Sequence, residues 1–439
     1  MRPFENRCEV NLTSSDQARV RRIPNRFRSP LKGWLLLALG CTGTEFVDRD
    51  NIDALTGLEA VEELRIGSVD DPDVGFSQLY LADVDSDGNV YVLEGMDRQI
   101  RVYNPAGSLI RRIGGPGEGP GEFEDPPIFG VHGDSVWAFD MGARRITFFD
   151  RAGNVLSAAR TDGLKIPLPG RYGYVFPSSM RSDGTLAGWL MMVGYGRDDA
   201  PSPVGAGEQV PIPHVRFAAS GEVMDTLGWM PSPPPRMQPP PGYGGDRFRF
   251  TTIGSRRYLV PDPPPDLPIW MPLSDGYIAV DVPYAVNDAS GAFTVTRIGL
   301  AGDTVYGRRL TYRPEPYTAV DLDSVAARAA RGFGNDRTPD AEVQTARNVL
   351  RSEMKFPELK LPIAEPWLDR DGGVWLRRED PPGSISRWVI LDAEGEPRGE
   401  LGLAPKTRPL WSRGDTLWAA EYDENDVPWL VRYRLRKRA

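Results

Sequence analysis

The sequence is short of the residues on which most site chemistry is built. Only two cysteines and two histidines occur in 439 residues. That scarcity excludes a disulfide-stapled scaffold and any metal site made mainly of cysteine or histidine. His132 and His214 give a Ser-His-Asp triad little to draw on, and neither G-x-S-x-G nor H-E-x-x-H is present. No stretch approaches the ~20 apolar residues that span a bilayer. Positive charge is not in excess either: 61 Asp and Glu outnumber 52 Lys and Arg, for a net charge of −9. An acidic balance of this kind argues against a nucleic-acid partner. What the chain has in quantity is glycine (47) and proline (42), beside 40% hydrophobic residues. Such a chain is too apolar for intrinsic disorder, and its wealth of turn residues points to an all-β fold.

The first forty residues read as an export label. Arg19, Arg21, Arg22, Arg26, Arg28 and Lys32 precede the apolar run Trp34–Leu39, then Gly40 and Cys41. Positive, apolar and small residues in that order form the secretory pattern. The ending Ala38-Leu39-Gly40-Cys41 resembles a bacterial lipobox, which implies lipidation at Cys41 and a mature chain without Cys8. Translation starting near Val20 would shorten the unusually long segment ahead of the apolar run. Thr42 rather than Asp after the cysteine implies an outer-membrane address. Residues 1–41 are therefore expected to direct export to the periplasm or outer membrane of a Gram-negative envelope, and 42–60 to act as a tether.

A repeat organises the rest. Asn89–Glu94 and Ser135–Asp140 stand 46 positions apart, and in that register Arg98 falls on Arg144, Tyr103 on Phe149 and Gly107 on Gly153. Each unit reads as alternating strands closed by Asn-Pro-Ala-Gly or Asp-Arg-Ala-Gly turns. A multi-strand period of this length is the mark of a propeller blade. Weaker copies start near Ser182, Asp275, Asp371 and Asp415, giving six blades in residues 61–437. The last copy lacks an outer strand, and Val61–Gly67 matches the shape of Leu109–Gly114. An N-terminal strand is thus expected to complete the last blade and close the ring, leaving no open edge.

Three stretches interrupt the pattern. Residues 230–245 and 261–268 are proline-rich and cannot donate to a sheet ladder. Between blades four and five, Val343, Ala346, Leu350 and Met354 recur at helical spacing. Thr338-Pro339 offers an N-cap and a first-turn proline. A small helical insertion over residues 316–360 is the expectation.

The segment Ile113–Phe123, rich in glycine and placed ahead of Pro126, resembles the inter-blade loop of NHL-type propellers. More narrowly, the chain resembles six-bladed β-propeller lipoproteins of bacteria over about residues 60–437. The resemblance implies a fold and an export route, and it implies no reaction, since propellers host binding, scaffolding and enzymes alike.

Asp83-Val84-Asp85-Ser86-Asp87-Gly88 followed by Glu94 fits the EF-hand pattern. The residues between Gly88 and Glu94 read as a strand, however, which would carry Glu94 roughly 17 Å from the turn. A repeat hairpin turn is expected there. The Gly114–Gly121 loop lacks the Lys-Ser/Thr of a phosphate loop and reads as a connector. Tyr91, Trp137, Trp375 and Trp418 alternate along strands and are expected to pack between blades.

The loops Glu94–Gln99, Asp140–Arg145, Arg377–Pro382 and Glu421–Asp426 hold the candidate site. They offer a charged rim of Glu94, Arg98, Asp140, Arg144, Arg145, Arg377, Arg378 and Glu421 around a central channel, with salt bridging within blades as the plainer account. The first functional reading is a non-catalytic binding or scaffold module for an envelope protein, peptide or glycan, touching the membrane through its lipid alone and using no cofactor. The second is a metal-dependent hydrolase of lactonase or esterase type, or a lyase. It would hold calcium through carboxylates such as Glu94, Asp140 and Glu421. A third is an accessory subunit of an envelope complex.

Overall fold

The computed structural model describes residues 47–438 apart from 72–73, 126, 162–171, 182, 193–211, 219–221, 231–249, 254–255, 261–268, 274, 282–290, 333–339, 355–357 and 381–382. The export segment with Cys41, the proline-rich stretches 231–245 and 261–268, and Thr338-Pro339 lie outside the described residues. Among those that are described, no helix is long and apolar enough to cross a membrane.

The chain is a β-propeller-type array of antiparallel sheets with two inserted helices. Unit one joins Leu79–Val84, Val90–Glu94, Gln99–Tyr103 and Leu109–Gly114 in sequence order. Unit two joins Ile128–His132, Ser135–Asp140, Arg145–Asp150 and Val155–Arg160. Unit three joins Tyr172–Met180, Leu186–Met192, Ile212–Phe217 and Val223–Met230. Unit four joins Ile269–Leu273, Gly276–Asp281, Ala292–Gly299 and Thr304–Thr311. Unit five joins Ile363–Leu368, Val374–Arg378, Ser386–Leu391 and Pro397–Leu403. Unit six has Thr407–Arg413, Thr416–Tyr422 and Pro428–Lys437, and its fourth strand is Gly57–Ile66 from the far end of the sequence. That N-terminal strand starts at Gly57 rather than Val61 and pairs antiparallel with the last strand, Ala60 facing Leu435 and Ile66 facing Leu430.

Residues 47–60, expected as a tether, are instead built into sheets. Val47–Asn51 runs parallel to Thr304–Thr311 as a fifth strand of unit four. Ile52, just beyond it, is buried among Val280, Phe293 and Leu310. The Asp53 carboxylate accepts the Arg313 amide at 2.6 Å and meets Arg378 at 2.7 Å. The polar run Val47-Asp48-Arg49-Asp50-Asn51 has no apolar alternation, and its described ties are the backbone ladder with Thr304–Thr311 and the burial of Ile52.

The second strand of each well-described unit is buried on both faces, which explains its unbroken hydrophobicity. Val90 and Val92 pack towards unit six with Trp418 and Leu430, while Tyr91 and Leu93 pack towards unit two with Phe129 and Val136. Trp137 and Phe139 face unit three, Trp375 faces unit six, and Val374 and Leu376 face unit four. Each such side chain contributes roughly 1.5–3 kcal/mol by leaving water. The first strands of successive units stand side by side: six beside one, one beside two, two beside three, three beside four, and four beside five.

Antiparallel pairing fixes two ends for every sheet. At one end the first strand turns into the second and, in units one to five, the third into the fourth, each through five residues or fewer. We call this the turn end. Five of its hairpins share one device, an Asx side chain that accepts amides two and four residues on. Asn104, Asp150, Asp369 and Asp392 all act so. Asp85 is another: its carboxylate takes the amides of Asp87 and Asn89, both at 2.9 Å, with Gly88 at φ +81° completing the turn. The EF-hand-like sequence is thus a hairpin turn.

All long connections leave from the opposite, loop end. They include 193–211, 231–268 and 312–362. The last holds helices α1 (Ala319–Gly332) and α2 (Asp340–Glu353). Their stem is closed by backbone hydrogen bonds, the Tyr317 amide donating to the Glu358 carbonyl and the Lys360 amide to the Glu315 carbonyl, and by a Lys360–Asp321 ion pair at 3.0 Å. Ala346 and Leu350 pack on Ala326, Ala330 and Val260, with Val343, Met354 and Ile253 around them. Val260 and Ile253 belong to the 231–268 connection, whose hairpin Phe250–Ile253/Arg256–Leu259 also meets α2 where Thr251 Oγ1 donates to Glu353 at 3.0 Å. Two insertions from neighbouring connections therefore share one small core.

Candidate ligand-binding face

The loop end gathers the charged residues that the sequence singles out, and the structure divides them into two kinds. Glu94 and Asp140 are staples. Glu94 is fully buried, and its carboxylate accepts the amides of Ser77 (2.9 Å), Gln78 (2.8 Å) and Asp97 (2.7 Å), besides the Ser77 hydroxyl. Asp140, 46 positions on, does the same with Glu124 (2.7 Å) and Ala143 (3.1 Å). Each carboxylate ends a second strand and ties the following loop to the connection that enters the unit. In unit five Asp380, two residues past the second strand, instead ties its loop to the third strand, holding the Arg387 amide at 2.9 Å and its guanidinium at 2.5 Å.

Three further rim candidates are also committed to scaffolding. Arg145 donates to the carbonyls of Glu118, Gly119 and Glu122, at 3.1, 3.1 and 2.7 Å, and so pins the glycine-rich connector. That connector turns at Gly114 (φ +81°), where a Cβ would lie 2.1 Å from Phe123. Arg378 bridges Asp53 and Glu400. Glu421 accepts Arg65 at 2.5 Å and the Tyr433 hydroxyl at 3.0 Å.

The remaining three behave differently. Arg98 and Arg144 sit at φ 50° and 48°, in the left-handed region that disfavours a side chain. Only two other described non-glycine residues have positive φ, Lys406 (65°) and Asp426 (62°). All four are charged and all four lie at the loop end. Arg98 and Arg144 occupy the same last position of their second-to-third-strand loops, Asp426 is one residue short of the end of its own, and Lys406 is in the connection from unit five to unit six. Beside them the exposed apolar side chains Val69, Met96, Met141 and Ile385 stand on the same end.

Arg377 lines an open cavity of about 410 Å³ between units five and six, with Glu365, Trp388, Lys406, Thr407 and Arg408. Arg377 Nε donates to Glu365 at 3.1 Å, and Lys406 Nζ to Asp426 at 2.6 Å. Arg408 Nη2 donates to the carbonyls of Leu79 (2.7 Å) and Tyr80 (3.1 Å), so it also joins unit six to unit one. Under the cavity lies an indole stack in which Trp375 meets Trp367 and Trp388 edge-on, at 5.2 and 6.3 Å. The Trp388 indole N–H and the Thr407 hydroxyl are buried without a hydrogen-bond partner. Nothing in the sequence marks Trp388 and the run Lys406-Thr407-Arg408 as a set, because the two segments belong to different units and meet only in the fold.

Where the helices approach the rim, Arg328 of α1 comes within 3.9 Å of Glu379. Burial raises the Glu379 carboxyl above its ordinary range, against the pull of Arg328 and Arg377. Among the described residues, no group of three or more His, Cys, Asp or Glu is placed to hold a metal ion.

No family model matches the chain, and no curated protein matches it in sequence. Solved structures of similar shape exist. A Bacteroides fragilis protein inferred to be exported is 12% identical, with a TM-score of 0.45, over 90% of this chain and 98% of its own. A DUF4221-family member from Bacteroides vulgatus is 11% identical, with a TM-score of 0.41, over 87% and 99%. An inactive virginiamycin B lyase from Staphylococcus aureus, solved with quinupristin, is 12% identical, with a TM-score of 0.34, over 85% and 98%.

Proposed function

We propose that the protein is an exported, non-catalytic binding module that engages an envelope protein, peptide or glycan through its loop end. In this reading the six sheets are the blades of a closed six-bladed propeller of the NHL-like lipoprotein type, anchored by lipid at Cys41. The order of neighbouring first strands and the N-terminal strand of unit six support that closure.

One observation carries the functional reading. Each of the four left-handed non-glycine residues is charged, and each is at the same end of the sheets. A side chain in that conformation costs roughly 1–2 kcal/mol that glycine avoids. Strain of this sort persists where the surrounding structure holds it for a purpose. Arg98, Arg144, Lys406 and Asp426 hold charge at the rim in spite of that cost, while the turn end uses glycine for its positive-φ positions.

The hydrolase reading finds less support. Glu94 and Asp140, which it would assign to a metal, already accept two or more amide hydrogen bonds each. Freeing either would leave buried donors unpaired.

The test is cross-linking by face. A photoreactive residue is placed at Met96 or Met141 on the loop end, and at Ala106 or Glu394 on the turn end, and cells are irradiated. Adducts should form from the loop-end positions alone. Equal adducts from both ends, or adducts from the turn end only, would sink the reading.

A further inference from the structure

The cavity between units five and six has a composition that narrows what it could take. We propose that it binds an acidic sugar unit, a hexuronate, of a glycan; this rests on the reading of the loop end as the binding face. Three cations, Arg377, Lys406 and Arg408, stand against two carboxylates, Glu365 and Asp426, which leaves net positive charge for one anionic group. Among the described contacts Arg377 is engaged through Nε only and Arg408 through Nη2 only. Both forks therefore retain donors, and planar guanidinium donors match a carboxylate.

The same walls suit hydroxyl groups. Glu365 and Asp426 can accept from them, and Trp388 and Thr407 hold a buried N–H and a buried hydroxyl that have no partner among the described residues. An unmet buried group of this kind is destabilising, so a ligand oxygen that reaches it gains more than one meeting a solvated donor. These two atoms are covered by the lining, so an incoming ring must displace side chains of the wall to reach them. A volume of about 410 Å³ lies near the small end of ligand cavities, and suits one or two sugar rings rather than a helix or strand. The lip is formed by the Lys406–Asp426 pair, both in the left-handed conformation, which holds the charge in place.

The experiment is calorimetric titration of the full-length protein with galacturonate and glucuronate, beside galactose, glucose, acetate, N-acetyl-alanyl-alanine and inorganic phosphate. A hexuronate should bind at least tenfold more tightly than its neutral hexose and than acetate. R377Q and K406Q should each weaken it at least tenfold while leaving the melting temperature in place. R377K should weaken it less than R377Q. Equal binding of hexuronate and neutral hexose would overturn the anionic part. Equal binding of acetate, the dipeptide or phosphate would overturn the sugar. Absence of binding by every probe would overturn the proposal entirely. Cross-linking from Met96 and Met141 in the R377Q variant separates the two readings: adducts that persist there keep the binding face while the sugar site falls.

Discussion

The Asp83 carboxylate lies 3.0 Å from the guanidinium of Arg370, joining the first strand of unit one to the first turn of unit five. The same carboxylate accepts the Val131 amide of unit two at 2.8 Å and the Trp411 indole of unit six at 3.1 Å. One buried side chain therefore links four units at the turn end. Asp83→Ala should lower stability by about 3–5 kcal/mol, because it leaves the Val131 amide and Trp411 indole unpaired beside a lost charge pair. Arg370→Ala should cost far less, about 1 kcal/mol at most, since its side chain is partly in water. Urea unfolding midpoints of the two variants give the comparison.

Glu94→Ala and Asp140→Ala should each destabilise by about 2–4 kcal/mol, by removing a buried carboxylate that caps several amides. Chelation tests the same point from the other side. Asp85 spends its oxygens on its own hairpin, and Glu94 and Asp140 spend theirs on loop amides and on the connections that enter their units. The melting temperature should accordingly be the same in EDTA and in calcium. A fall in EDTA that Glu94→Gln abolishes would return these residues to a metal.

His214 supplies a pH dependence. Burial, helped by the charge of Arg181, lowers its imidazole to about 4 from the usual 6.5. Its two ring nitrogens are buried without hydrogen-bond partners. The unfolded chain takes up a proton below pH 6.5 and the folded chain does not, so stability is complete above that pH. It falls as the pH drops from 6.5 towards 4, by up to about 3 kcal/mol. His214→Leu should flatten the curve of melting temperature against pH over this interval. A curve unchanged by the substitution would assign the dependence to other groups.

Much of the fold was legible because units one and two keep one register without a gap. Tyr91 over Trp137 and Arg98 over Arg144 set the units, and the missing outer strand of the last copy pointed to the N-terminus. Val47–Asn51 was illegible since its polar run shows no apolar period. The rim was read in part. Charged residues bounding short loops look alike in sequence, whether they face water, as Arg144 does, or turn under the entering connection, as Glu94 does. What separates them is that residues 77–78 and 124–125 of the entering connections lie against the strand ends, a tertiary fact. Left-handed backbone at an arginine or a lysine has no sequence mark of its own.

The account stands or falls on whether the strained charges at the loop end are kept for binding. Arg98→Gly and Arg144→Gly, together, should leave the melting temperature unchanged or raise it, each substitution relieving about 1 kcal/mol of backbone strain. In the same variant, adducts from a photoreactive residue at Met141 should fall at least tenfold. If the melting temperature drops while the adducts persist, the arginines hold the fold together and the loop end is not the binding face.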